Sequence, residues 1–256
     1  MSNPLIFFSD VHLGAPLLAD DRIREQKVIA FLEYAQQLQA RIFIVGDLFE
    51  FWFEYKEAIP RQNFAVLATM YKLIQNGICI HYLAGNHDLW LGSFLEKEIG
   101  VHIHRNEAEL CINGQNIYVT HGDGAAKSDS RYRFLKRILC SRTNIKLYRL
   151  LHPDLGIPLA KRASQVSRDK GNNPHHWASE YREFAEDRFE EGHDIVIMGH
   201  THYPLHSHTN GHHFINLGDW ITHYSYCLIK DNEISLRQWP SMELLHQSDT
   251  SNSHSA

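Results

Sequence analysis

The chain has 256 residues, of which 43% are hydrophobic and 21% are charged, and its formal net charge is −5. These proportions are typical of a globular protein, and no apolar run reaches the ~18 residues of a membrane-spanning helix. No basic segment precedes the first apolar run, so we expect no signal peptide, and four widely spaced cysteines without a CxxC pair indicate reduced thiols in a cytoplasmic protein.

The first half of the sequence alternates predicted strands with predicted helices. The strands are 5–8, 42–45 and 78–83, and the helices are 21–39 and 64–75. The strands are continuous apolar runs, whereas the helices carry apolar residues at helical spacing. This alternation predicts parallel strands with right-handed crossovers, so that the carboxyl ends of the three strands meet at one sheet edge.

Polar side chains follow each of these three strands. Asp10 and His12 follow the first strand, Asp47 follows the second, and Asn86 follows the third. Because Asp10 and His12 are two positions apart, an extended backbone there would point both side chains the same way. The topology therefore predicts that all four side chains converge.

The second half of the sequence has a hairpin, a long helical segment and further strands. The predicted elements are a hairpin at 110–119 that turns at Asn113-Gly114, a mostly helical segment at 125–191, a strand at 195–198, and alternating segments at 213–217, 225–229 and 234–236. The three alternating segments are predicted to be antiparallel strands of a second sheet. His121 follows the hairpin, and His200 and His202 follow the strand at 195–198.

These polar residues form a candidate metal-ligand set. Its members are Asp10, His12, Asp47, Asn86, His121, His200 and His202. Oxygen and nitrogen donors without a thiolate suit Mn²⁺, Fe²⁺ or Zn²⁺, and two carboxylates with several imidazoles are enough for two ions. A single histidine at a strand end is more often structural than a ligand, but the same pattern recurs at five strand ends. Paired metals can bind an anionic phosphorus centre and activate water.

The same residues carry a family resemblance. Asp10-x-His12, Gly46-Asp47, Gly85-Asn86-His87-Asp88, His121 and Gly199-His200-x-His202 resemble, in order and spacing, the signature of calcineurin-like metallophosphoesterases. The resemblance implies an α/β fold, a four-layer αββα sandwich of two mixed sheets with a helical cap, and a dinuclear metal centre. It further implies that Asp47 bridges the metals, that Asp10, His12 and His202 hold one metal and Asn86, His121 and His200 the other, and that His87 is the catalytic acid beside them.

Three further segments resemble one branch of that superfamily, the UDP-2,3-diacylglucosamine hydrolases of lipid A synthesis. They are Gly46-Asp47-Leu48-Phe49-Glu50-x-Trp52, His121-Gly122-Asp123 and Leu217-Gly218-Asp219-Trp220. The sequence departs from the best-known branch at His87, where that branch has arginine. The resemblance implies hydrolysis of a pyrophosphate in a UDP-linked diacyl sugar, with Mn²⁺ as the expected metal and Fe²⁺ or Zn²⁺ as alternatives. The substrate contacts it implies are Asn86, His87, Asp129, Ser164, Arg168, Lys170 and His200.

The segment between His121 and His200 has an unusual charge. Residues 127–170 carry twelve Lys or Arg against three Asp, a charge of +9 that leaves −14 on the rest of the chain. Leucine and isoleucine residues lie between these charges, a pattern typical of an interfacial amphipathic element. We interpret 125–175 as a cap that contacts the acyl substrate and the cytoplasmic face of an anionic membrane. The alternative is a packed helix pair with a solvated cationic face.

The remaining interpretations concern domains and rival functions. We expect one metallophosphoesterase domain at 1–242 and a polar, disordered tail at 243–256. The alternatives are a soluble phosphatase or cyclic-nucleotide phosphodiesterase of the same superfamily, and a non-catalytic interaction module on the same fold. A nuclease would need stacking aromatics in the basic segment, which has only Tyr132, Phe134 and Tyr148, so we expect no nucleic-acid partner. The oligomeric state is left open.

Overall fold

Two β-sheets packed face to face, with helices on both outer faces, form the four-layer αββα sandwich that the sequence predicts. The computed structural model describes residues 3–15, 20–170 and 174–245, without the side chains of 163–178. Residues 246–256 of the predicted tail lie outside this description.

The first sheet has six strands in the order β11-β10-β1-β2-β3-β4. Its strands are β1 (Leu5–Phe8), β2 (Arg41–Val45), β3 (Ile80–Leu83), β4 (His102–His104), β10 (Ser225–Lys230) and β11 (Glu233–Gln238). Strands β1 to β4 are parallel, whereas β10 is antiparallel to β1 and β11 to β10. The predicted βαβ arrangement is therefore confirmed.

The second sheet has five strands in the order β5-β6-β7-β9-β8. Its strands are β5 (Glu107–Ile112), β6 (Gln115–Thr120), β7 (Ile195–Met198), β8 (Pro204–Thr209) and β9 (His212–Leu217). The predicted hairpin is β5–β6, and its turn residues Asn113 and Gly114 have φ angles of 52° and 84°, as a two-residue hairpin turn requires.

Six helices complete the described fold. They are α1 (Asp21–Gln37), α2 (Phe64–Gln75), α3 (Ser130–Leu139), α4 (Arg142–Arg149), α5 (Pro153–Lys170) and α6 (Pro174–Glu190), and the π-helical turn Leu95–Ile99 lies between β3 and β4. In the described part of the chain, no helix combines the length and the apolar composition needed to cross a bilayer.

Three apolar clusters hold the layers together. The first packs α1 and α2 on the outer face of the first sheet, through side chains such as Phe8 and Phe31. The second fills the space between the sheets, and the third packs α6 on the second sheet through Tyr181 and Ala185. Helices α3 and α4 contribute no buried residue to any of them.

The prediction for the C-terminal strands is partly wrong. Only the segment at 213–217 joins the second sheet, as β9, and it is parallel to β7. The segments at 225–229 and 234–236 extend the first sheet beside β1. Alternation of apolar residues indicates a half-buried strand but does not identify its partner, which lies more than 200 positions away.

Candidate metal centre

The carboxyl ends of β1, β2, β3, β6 and β7 bring the predicted ligands to one edge of the sandwich. Asp10, His12, Asp47 and His121 are each at most 1% exposed. Asn86, His200 and His202 are partly exposed. The convergence predicted from topology is therefore present, with both sheets contributing side chains to it.

Sharp backbone turns aim these side chains. Five of the seven predicted ligands have left-handed φ angles: Asp10 (56°), His12 (52°), Asp47 (53°), His200 (69°) and His202 (59°). Non-glycine residues rarely adopt this conformation, and such strain concentrates at functional sites. The expectation of an extended segment through Asp10 and His12 is wrong, because each strand ends in a turn that directs its polar side chain inward.

Glycines next to the ligands make room for them. A Cβ on Gly85 would collide with Oδ1 of Asp47, and a Cβ on Gly46 would collide with the ring of His121. Gly46 also has a φ angle of 81°, which favours glycine. These contacts explain why Gly46 and Gly85 precede Asp47 and Asn86.

One group of possible ligands consists of Asp10, His12 and His202. The Nε2 atoms of His12 and His202 are 3.2 Å apart, and Oδ1 of Asp10 is 3.3 Å from His202 Nε2 and 3.7 Å from His12 Nε2. Oδ1 is buried without a hydrogen-bond partner among the described residues, whereas Oδ2 accepts from the amide of His200. A buried carboxylate oxygen facing two imidazoles fits a divalent cation.

A second group surrounds Asp47. Its Oδ2 atom lies 3.4 Å from His121 Nε2 and 3.8 Å from His12 Nε2, so this carboxylate faces both groups. His121 Nε2 is 3.1 Å from Asn86 Oδ1, while its Nδ1 is 2.8 Å from the carbonyl oxygen of Val45. The backbone contact fixes the ring, which leaves Nε2 directed at Asp47 and Asn86.

Glu50 is a site residue that the sequence analysis did not select. It is fully buried, and its Oε2 atom lies 3.2 Å from His12 Nδ1 and 3.5 Å from His87 Nδ1. Both imidazoles are thereby oriented with Nε2 towards Asp47. A carboxylate inside the apolar run Leu48-Phe49-Glu50-Phe51-Trp52 was the signal that could have identified it.

Asp88, although adjacent in sequence, is not the carboxylate partner of His87. It is buried and accepts hydrogen bonds from the hydroxyl of Tyr82 and the amides of Gly85 and Phe49. Burial and the nearby Asp47 raise the pKa of Asp88 to about 6. Its contacts hold the turn that leads into Asn86.

The electrostatics of the site are set by burial and by carboxylate–imidazole pairs. Burial favours the neutral acid, but the imidazoles of His12 and His87 lower the pKa of Glu50 to about 2. Burial and the neighbouring His121 lower the pKa of His200 to about 4, so His200 is a neutral donor at pH 7. A mixture of charged oxygens and a neutral imidazole suits cation binding.

The helical segment is attached on both sides of this site. Beside His121, Asp123 accepts hydrogen bonds from the Tyr132 hydroxyl at 2.5 Å and from Lys136 Nζ at 2.6 Å. Beside His12, Lys161 of α5 is half-buried and donates to the carbonyl of Gly14 at 2.8 Å. Burial lowers the pKa of Lys161. The sequence analysis did not select this lysine as a site residue.

The predicted substrate contacts differ in what the structure describes of them. Asn86, His87 and His200 lie at the metal edge, and Asp129 is half-buried at the start of α3. The side chains of Ser164, Arg168 and Lys170 lie outside the described residues.

Comparisons with known proteins identify the family to which the chain is similar. Residues 4–204 match the family model described as calcineurin-like phosphoesterase. A Porphyromonas gingivalis protein named UDP-2,3-diacylglucosamine hydrolase is 30% identical, over 95% of this chain and all of its own length. A Neisseria gonorrhoeae protein of the same name is 30% identical, over 90% and 95%. Among solved structures, the phosphoesterase Yfce from E. coli aligns over 95% of this chain and 97% of its own, with 16% identity and a TM-score of 0.48.

The family match covers most of the chain and includes every predicted metal ligand. The chain belongs to the calcineurin-like phosphoesterase family and is a metal-dependent hydrolase of phosphoester or phosphoanhydride bonds.

Proposed function

We propose that this protein hydrolyses the pyrophosphate of UDP-2,3-diacylglucosamine, giving UMP and 2,3-diacylglucosamine 1-phosphate. Two relatives with this name align over 100% and 95% of their own length. The observation that carries the substrate assignment is the large apolar and cationic surface of α3, α4 and α5 next to the metal edge.

Two divalent cations, with Mn²⁺ expected and Fe²⁺ or Zn²⁺ as alternatives, fit the donor set. Asp10, His12 and His202 would hold one ion, and Asn86, His121 and His200 the other, with Asp47 between them. The buried Oδ1 atom of Asp10, which has no hydrogen-bond donor among the described residues, supports this assignment. Such ions, when bound, activate water and stabilise charge on the phosphoryl group.

His87 is the proposed proton donor to the leaving oxygen. Its Nδ1 lies 3.5 Å from Glu50 Oε2 and its Nε2 lies 4.0 Å from Asp47 Oδ2, so its Nε2 is directed to the metal edge. The side chain of His87 is only 6% exposed, which limits competition from bulk water. Glu50 would keep the ring in place through its contact with Nδ1.

The diphosphate needs cations other than the metals, and Lys161 is the described candidate. It extends from α5 to the loop after His12 and is close enough to Glu50 to interact with it. We add Lys161 to the predicted contacts Asn86, His87, Asp129, Ser164, Arg168, Lys170 and His200. An ammonium beside the metal edge can bind the phosphate that is not attacked.

The helical segment supports an acyl substrate. Eight of the thirteen large hydrophobic side chains that the structure records as exposed lie here: Phe134, Leu135, Ile138, Leu147, Leu150, Leu151, Leu155 and Leu159. Exposed apolar side chains concentrated in one segment are unusual on a globular surface, and they support contact with lipid or another apolar partner. Exposed cations accompany it, including Arg137, Arg142 and Lys146.

These features favour a cap, proposed as 125–175, that lies on the cytoplasmic face of an anionic membrane. Apolar side chains would enter the acyl region while lysine and arginine bind headgroups. The protein would then be cytoplasmic and peripherally attached to the inner membrane. Not all cations of the segment face outward, because Arg133 donates to the carbonyls of Gly124 and Ala126 and Lys136 pairs with Asp123.

A product assay tests the reaction itself. The protein with Mn²⁺ is given UDP-2,3-diacylglucosamine and, separately, a short water-soluble phosphodiester. We expect release of UMP with a strong preference for the diacyl substrate. Equal or faster hydrolysis of the short ester would support the rival function, a soluble phosphatase or phosphodiesterase of the same family.

A vesicle assay tests the cap. Arg137, Arg142 and Lys146 are changed together to Glu, and Lys72, Lys97 and Lys230, which are exposed and lie outside α3, α4 and α5, serve as the matched control. At about 1 kcal/mol for each cation near an anionic surface, the cap variant should bind phosphatidylserine vesicles at least ~100-fold more weakly, and the control should not. Equal loss in both variants, or no binding by the parent protein, would contradict the membrane assignment.

A further inference from the structure

Histidine triads occupy both lateral edges of the sandwich, away from the metal centre. The hairpin triad consists of His206 and His208 on β8 with His213 on β9. The edge triad consists of His102 and His104 on β4 with His81 on β3. In the hairpin triad, His213 stacks on His208 directly opposite it, and one of its ring nitrogens lies close to a ring nitrogen of His206. In the edge triad, His81 stacks on His102 and has the same close nitrogen contact with His104.

The hairpin triad is built by strand alternation. His206 and His208 are two positions apart on β8, and His208 is directly opposite His213 in the antiparallel register, so the three share one face. His206 Nε2 is 3.0 Å from His213 Nδ1. The rings of His208 and His213 are parallel, with centroids 4.0 Å apart.

The three histidines of the hairpin triad differ in solvent exposure. His206 is 4% exposed and His213 is half-buried, so the close pair is fixed, whereas His208 is exposed and can turn. His206, the member nearest the metal edge, is opposite Ile215, two residues before Leu217, which places it roughly 7 Å from that edge along the strand, whereas His213 is roughly 13 Å away. The triad is therefore separate from the dinuclear centre.

The protonation states favour ligation. Burial and the other histidines lower the pKa of His206, and they lower that of His213 to about 4. His208 lowers the pKa of both, and His206 and His212 further lower that of His213, with no lysine or arginine among these groups. At the edge triad, by contrast, Arg41 also acts on His81. Both close nitrogens of the hairpin triad are thus neutral at pH 7, as a metal ligand must be.

We propose that the hairpin triad binds one zinc ion through His206, His208 and His213. Two nitrogens bound at 2.0–2.1 Å to a tetrahedral zinc ion are about 3.3 Å apart, close to the observed 3.0 Å. His208 rotates off His213 to become the third ligand, and water completes the shell. The proton shared by His206 and His213 moves to an outer ring nitrogen, so binding needs a change of tautomer and no net proton release.

Zinc content measured after equilibrium dialysis at micromolar free zinc tests this site. His208→Ala is the main variant, because an exposed side chain can be removed without affecting folding, and His213→Ala is the second. His102→Ala, which removes the exposed member of the edge triad, is the matched control. We expect the parent and the control to bind one more zinc ion than either hairpin variant, with at least about 100-fold weaker binding of that ion after His208→Ala.

The difference between variants does not depend on how many ions the dinuclear centre takes up. Crystals soaked in zinc should show an anomalous peak between His206 Nε2 and His213 Nδ1. Equal zinc content in the parent and both hairpin variants would overturn the proposal. Loss of an ion only in the control would assign the site to the edge triad and would overturn it equally.

Discussion

The metal edge and the helical segment lie next to each other and are built in opposite ways. At the metal edge, Asp10, His12, Asp47 and His121 are buried, and five of the seven predicted ligands have left-handed φ angles. In α3 and α4, apolar side chains are exposed and none is buried. Polar groups are thus buried in the first region, and apolar groups are exposed in the second. Both depart from the usual pattern of a globular protein, in which polar groups are exposed and apolar groups are buried.

Asp47→Ala should break the metal edge most severely. This carboxylate faces His12, His87 and His121, so its loss removes the contact between the two ligand groups. We expect turnover to fall by more than about 10⁴-fold, because metal activation and the placement of His87 are lost together. Metal analysis of the purified variant should show fewer than two tightly bound ions, and retention of both would refute the bridging role.

His87→Ala should separate proton transfer from metal binding. We expect turnover to fall by roughly 10²–10⁴-fold, the usual contribution of an acid–base group, while the metal content stays unchanged. Steady-state kinetics with metal analysis measure both. Asp88→Asn is a poor control, since Asp88 holds the turn into Asn86. Unchanged turnover in His87→Ala would remove His87 from the mechanism.

A pair of apolar truncations compares the two regions in stability. Phe31 is fully buried against Phe8, Trp220 and Tyr226, and Phe31→Ala should cost about 3–5 kcal/mol in the free energy of unfolding. Leu150 is 82% exposed, and Leu150→Ala should change stability by less than about 0.5 kcal/mol.

Urea unfolding measures both changes, and vesicle binding should respond in the opposite order. Leu150→Ala should weaken binding, whereas folded Phe31→Ala should retain it. A large loss of stability after Leu150→Ala would mean that the segment is an ordinary packed helix pair.

The smallest expected effect concerns acid stability at the edge triad. Burial, His102, His104 and Arg41 lower the pKa of His81 from 6.5 to about 4 in the folded state. The unfolded chain therefore binds a proton more readily, and the stability contributed by neutral His81 is lost as pH falls from about 6.5 towards 4.

His81→Phe keeps a ring on Phe43 and cannot titrate. Its urea midpoint should fall less between pH 7 and pH 5 than that of the parent. Parallel pH dependence in the two proteins would show that His81 does not contribute.

The central strands of the two sheets could be predicted from the sequence, but the edge strands β4 and β8 could not. Strands β1, β2 and β7 were predicted from continuous apolar runs, because a strand that is buried on both faces carries apolar side chains at nearly every position. Strands β4 and β8 were missed because histidine dominates them and the apolar pattern is absent.

The candidate site was predictable where it depended on topology. Parallel crossovers bring strand ends together, so the convergence of the predicted ligands could be inferred from their positions after the strands. The left-handed turns at Asp10 and His12, and the contact of Glu50 with two imidazoles, depend on non-local packing that periodicity does not encode.

The position of β10 beside β1 has a consequence for synthesis of the protein. The strand β1 pairs with β2 on one side and with β10 on the other. In addition, the amide of Trp220, which precedes β10, donates to the carbonyl of Asp10. A ribosome making about 5–20 residues per second needs roughly 10–45 s to travel from β1 to β10. Throughout that time the first strand lacks one neighbour and the Asp10 turn lacks its support. Nascent chains shorter than about 230 residues should thus be poor metal binders and natural clients of chaperones.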